Sequence, residues 1–177
     1  MTSEEKYLFF EAACDGLTQE LARLLDQGAD PDVQNIDDNT PLHLAAQNGH
    51  AECLRLLLDR GADLSVRNSS GATPLHAAIW NNHAGCAHFL LDRGADPNIR
   101  DDDGDTPLHF AVEHEYADCA RLLLSRGADP ELRTFEGHTA RNLALLCGNM
   151  DCVDLLDAHT GKECLDALWS RQTGAPS

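Results

Sequence analysis

The sequence predicts an all-α protein built as a linear stack of repeated helix pairs, and three observations predict it. The motif "TPLH" begins at Thr40, Thr73 and Thr106, and "TARN" begins at Thr139, each 33 residues after the last. "GAD" recurs at Gly28, Gly61, Gly94 and Gly127 with the same step. Between these markers the apolar residues fall at helical spacing, as with Leu54, Leu57 and Leu58. A constant period of this length makes each unit one supersecondary element whose apolar face is buried only by its neighbours.

The elements follow in order. The N-terminal "YLFFEAACDG" aligns without a gap on "TPLHLAAQNG", so an earlier unit precedes the first TPLH and the chain holds five. Threonine before proline starts a helix: the Thr oxygen caps a free N–H, and Pro occupies the first helical position, where no N–H is needed. Thr40-Pro41, Thr73-Pro74 and Thr106-Pro107 therefore open first helices. Gly49 supplies the left-handed residue that ends one, Ala51 to Leu58 forms the second helix, and Gly61 closes it. Alanine at 45, and at the equivalent positions 12, 78, 111 and 144, implies close approach between helices.

Some positions depart from the repeat. Asp38 replaces a turn glycine, and Asn82 and Glu115 replace the Gly49 equivalent, which leads us to expect a looser or differently angled fourth unit. In the fifth unit Ala140, Arg141 and Asn142 replace Pro, Leu and His, and Asp157 stands where Leu58 stands in the second, an expected polar face at the end of the stack. The stretch "KECLDALWS" spaces Leu165, Leu168 and Trp169 as one helical face. These features divide the chain into a repeat domain, 1–159, and a capping helix with a flexible tail, 160–177; a docking peptide for another protein is the alternative for that tail.

Three TPLH copies in one register mean that the chain resembles the ankyrin repeat family, over roughly residues 4 to 159. The resemblance implies a curved solenoid of stacked helix-turn-helix units with short β-turn or hairpin tips. It also implies a partner surface on the concave side, formed by the tips and the ends of the first helices. Carried over by register, the tip residues are Ile36, Asp37 and Asn39; Ser69, Ser70 and Ala72; Asp102, Asp103 and Asp105; Phe135, Glu136 and His138. The first helices add Gln47, Asn48, Trp80, Asn81, Glu113 and His114. A large ring such as Trp80 at an open site points to a contact, either with a partner or sideways on the adjacent repeat. Family members are hydroxylated on an asparagine placed like Asn98, although Pro97 makes the local match imperfect.

Composition narrows the partner. A formal net charge of −17 argues against nucleic acid and acidic membranes, and favours a protein with a basic segment. Seven cysteines, an odd number, together with an acidic start to the chain suggest a reducing compartment, cytoplasmic or nuclear, and a monomer is expected.

Cys53, Cys86, Cys119 and Cys152 are 33 apart and so stand in a row about 10 Å apart, too far for disulfides and unable to converge on zinc. His43, His76 and His109 should tie helix starts to neighbouring turns, and His50 and His83 form a second structural register. His109 and Glu113 match a metal site poorly. "RDDDGDTPLHF" is no calcium loop: with Gly104 at the sixth position, the first falls on Ile99 and the twelfth on Phe110. Asp101 and Gly104 instead frame the turn, leaving Asp102, Asp103 and Asp105 to display. Neither a nucleotide loop nor a nucleophile elbow occurs.

The expectation is a non-enzymatic interaction module without cofactor or metal, steering a Lys/Arg-rich segment to Asp102, Asp103, Asp105 and Glu113 with Trp80 as anchor. The alternatives are an inhibitor or regulatory subunit acting through apolar shape complementarity, and an engineered scaffold, which the irregular repeats and the cysteines count against.

Overall fold

The computed structural model describes residues 2–161 and arranges them as ten helices in five antiparallel pairs. They are α1 (Ser3–Cys14) with α2 (Thr18–Asp26), α3 (Pro41–Gln47) with α4 (Ala51–Asp59), and α5 (Pro74–Trp80) with α6 (Ala84–Asp92). Then follow α7 (Pro107–Glu113) with α8 (Ala117–Ser125), and α9 (Ala140–Cys147) with α10 (Met150–Thr160). Leu165, Leu168, Trp169 and most of the segment expected to cap the stack lie outside the described residues. Among the described helices none is long and apolar enough to cross a membrane.

The TPLH motif is the joint of the stack. His43 Nδ1 accepts the Thr40 N–H at 3.2 Å, which closes the helix start. That leaves the ring proton on Nε2, 3.1 Å from the Ala72 carbonyl of the next repeat. His76 reaches the equivalent Asp105 carbonyl, and His109 reaches the Leu132 carbonyl, six residues before the equivalent His138. In the last repeat Asn142 reproduces only the first half, its Oδ1 accepting the Thr139 N–H at 3.1 Å.

Small residues let the first helices pack closely. Ala12, Ala45, Ala78, Ala111 and Ala144 are all buried, and first helices lie closer to their neighbours than second helices do. This asymmetry bends the stack toward the first-helix side. Cys53, Cys86, Cys119 and Cys152 are buried on the second helices, and burial pushes the Cys86 thiol up to about 11.

The three glycine replacements keep the glycine conformation: Asp38, Asn82 and Glu115 have φ of 57°, 56° and 61°. Packing therefore overrides the cost of a side chain there, and the fourth unit keeps the regular turn. The expected polar end face is corrected. Asp157 is buried, and Arg141 donates to both of its carboxylate oxygens, at 2.6 and 2.9 Å, so the charges neutralise each other inside the last repeat. Leu145, Leu146 and Met150 are exposed instead.

Two predictions follow from this packing. Ala78→Leu overfills the space between first helices and costs about 1–3 kcal/mol, seen as a lower urea midpoint; an unchanged midpoint would contradict the close approach. The three bridging histidines, held near pKa 4 chiefly by burial, stay neutral in the folded state, while the unfolded chain takes protons near 6.5. Their stabilisation is complete above about pH 6.5 and is lost as pH falls toward 4, so denaturation midpoints recorded across that window should decline.

Candidate interaction groove

Tip loops are joined edge to edge by backbone hydrogen bonds. Ser69 N–H donates to the Asp37 carbonyl, Asp102 N–H to Ser70, and Phe135 N–H to Asp103, at 3.0 to 3.1 Å. Within the fourth tip Asp101 is buried, and its Oδ1 accepts the N–H groups of Asp103 and Asp105 at 3.0 and 2.8 Å. Gly104, at φ 83°, leaves no room for a Cβ, which would lie 2.7 Å from the Phe135 nitrogen. Both therefore frame the turn, and the acids between them project from it.

The site residues expected from the sequence divide into those on display and those engaged. Asp37, Ser69, Ser70, Asp103, Phe135 and Glu136 are exposed at the tips, and Gln47, Asn81 and Glu113 at the helix ends. Asn39 is engaged, accepting from Asn68 Nδ2 at 2.8 Å, while Asn81 is both exposed and bonded back to the Ala77 carbonyl of its own helix. Asp102 is a correction: its carboxylate accepts from Arg67 at 2.9 Å, so an acid expected to await a partner is already paired. Both side chains are half exposed, where such a pair is worth about 0.2–1 kcal/mol. Asn98 is also taken, its amide bridging the Gly127 carbonyl and the Asp129 N–H.

Trp80 does pack sideways on the next repeat. Its ring meets Phe110 and His114 edge-on, both at 4.9 Å between centroids, yet it remains 52% exposed. His114 stacks on Tyr116 beneath it, with Nε2 buried and unpaired, and so contributes a support rather than a displayed group.

The remaining acids converge. Asp103, Asp105, Glu113 and Glu136 line one hollow of about 430 Å³ between the fourth and fifth repeats, with Thr134, Phe135, His138 and Leu143. Burial and, after it, the neighbouring carboxylates raise Asp105 to about 6. Phe135, 71% exposed, forms one wall.

Sequence reasoning missed Leu143 in this wall and Leu146, 69% exposed on the same helix. The signal was present: Leu146 is 33 residues after Glu113, in the register that also holds Gln47 and Trp80. It also missed a second hollow of about 450 Å³ between the first two repeats, lined by Tyr7, Phe10, Glu11, Cys14, Asp15, Asn35 and Leu44. Among the described residues no group of His, Cys, Asp or Glu is arranged to hold a metal ion.

The family model described as "Ankyrin repeats (3 copies)" matches residues 9–101 and 94–166. A segment of 25 residues is 72% identical to "Protein fem-1 homolog A" of Bos taurus and of Homo sapiens and to "Protein fem-1 homolog A-A" of Mus musculus. The matched segment is 14% of this chain and 4% of those relatives' length, so the likeness extends to a fragment of them.

Asp105 gives this site a measurable signature. Its carboxyl carbon should titrate by NMR near pH 6, and Glu113→Gln should lower that midpoint by removing a neighbouring negative charge; a midpoint near 4 in the parent chain would contradict the crowding.

Proposed function

Because the chain belongs to the ankyrin repeat family, a family of protein-interaction modules, we propose that it binds another protein through a Lys/Arg-rich segment laid on the acidic side of its concave groove. The observation that carries this reading is the Asp105 hollow. Four carboxylates face one cavity, and the charge on one of them is disfavoured at neutral pH by burial and by the others. A seated ammonium or guanidinium relieves that cost, so binding energy is available at this point.

The outer side supports the division of labour. Arg60, Arg93 and Arg126 pair there with Asp26, Asp59 and Asp92 of the preceding repeats, at 2.7, 3.1 and 2.6 Å. Three of the chain's 13 lysines and arginines are thus engaged away from the groove. Long-range attraction sets the encounter rate, and contacts of Trp80, Phe135 and Leu146 set the lifetime. The reading involves no reaction and no cofactor.

A second reading rests on those same exposed apolar residues: an inhibitor or regulatory subunit that holds its target by shape, with charge incidental. Binding would then survive high salt.

The test uses a synthetic Lys/Arg-rich peptide as probe. Association with the parent chain should slow steeply as salt rises, and Asp103→Lys with Glu136→Lys should cut the on-rate by about tenfold or more and flatten the salt dependence. Lowering pH from above to below 6 should weaken binding as Asp105 takes up a proton. An on-rate and salt slope unaffected by the double reversal would reject the acidic groove.

A further inference from the structure

The two hollows share a register. Counting in 33-residue steps, Cys14 of the first and Glu113 of the second occupy the same place at the end of a first helix, with Gln47 and Trp80 between them. Asn35 and Thr134 are equivalent tip residues facing them, as are Leu44 and Leu143 on the following helix. Both hollows are therefore the same gap of the repeat, between one first helix and the next tip, opened at the two ends of a single groove. Beside each hollow the tip also carries an exposed large apolar residue at one register, Ile36 and Phe135, where the middle repeats have Ser69 and Asp102.

Their chemistry differs. In the first unit Phe10 stands where His43 stands in the second, so a ring takes the place of the bridging imidazole. With Tyr7, 65% exposed, and Leu44, it makes an apolar wall. Glu11 and Asp15 lie at its rim, and the Lys6 ammonium sits 5.9 Å from the centre of the Phe10 ring. The far hollow has four carboxylates.

We infer that the groove takes one extended peptide with two anchors: a large aromatic or aliphatic side chain in the Tyr7 hollow and an arginine or lysine in the Asp105 hollow. The inference rests on the acidic-groove reading and adds the second anchor and the distance. Three repeats separate the hollows, at about 8–10 Å per helix-to-helix step, giving roughly 25–30 Å. An extended chain rises about 3.3 Å per residue, so about eight residues lie between the anchors. Both anchors on one chain make the second contact intramolecular, which raises affinity without any new surface.

The experiment measures fluorescence anisotropy of labelled peptides on the full chain. An arginine pair alone is compared with the same pair linked to a Leu-Phe pair through Gly-Ser spacers of roughly 3, 8 and 13 residues. The middle spacer should bind about tenfold more tightly than the arginine pair alone, and Tyr7→Asp should erase that gain while leaving the salt-dependent part. A gain that is absent, or that peaks at another length, overturns the two-anchor groove and leaves the acidic hollow standing. If the arginine pair alone shows no salt-dependent binding, both readings fall.

Discussion

The imidazole of each TPLH motif has two ends, and the stack depends on both. One nitrogen accepts the N–H that would otherwise be orphaned at a helix start; the other donates to the carbonyl of the next repeat's tip. A neutral ring in a single tautomer satisfies both demands, and burial keeps it neutral. Local helix geometry and the spacing between repeats are thus set by the same side chain. Asparagine at 142 keeps the capping half in the last repeat and has no tip beyond it among the described residues to reach.

From this joint follows the groove. Histidine fixes where each tip sits relative to the preceding helix, alanines let the first helices close up, and backbone bonds then link tip to tip. Side chains at the tip apex and the helix end are left to chemistry because the frame has no use for them. The partition is visible in the charges: arginines clamp neighbouring second helices on the outer side, while carboxylates gather on the inner one. That ordering holds three arginines on the outer side, while Arg67 reaches an inner acid, Asp102.

Much of this was legible in the sequence because a repeat makes position equivalent to role. The register gave the helix starts, the bridging histidines, the buried cysteine row and the special turn positions, including Asp38, Asn82 and Glu115. What stayed hidden depended on contacts between residues that do not repeat. Arg67 reaches Asp102 only because one side chain is long and the neighbouring tip is acidic. Asp157 looked like a solvent-facing substitution until Arg141, itself a replacement for leucine, turned out to meet it inside. The Tyr7 hollow was obscured because spacing does not separate Phe9, which is buried in the core, from Tyr7 and Phe10, whose rings border the hollow.

The row of buried thiols has a practical consequence. Cys53, Cys86, Cys119 and Cys152 are shielded and held protonated, since burial raises each of them, so they are poor nucleophiles. Cys147, in contrast, is exposed and follows Leu146 directly at the end of α9. Among the described thiols, a maleimide dye would favour that one, attaching a reporter at the rim of the cleft without disturbing the interior.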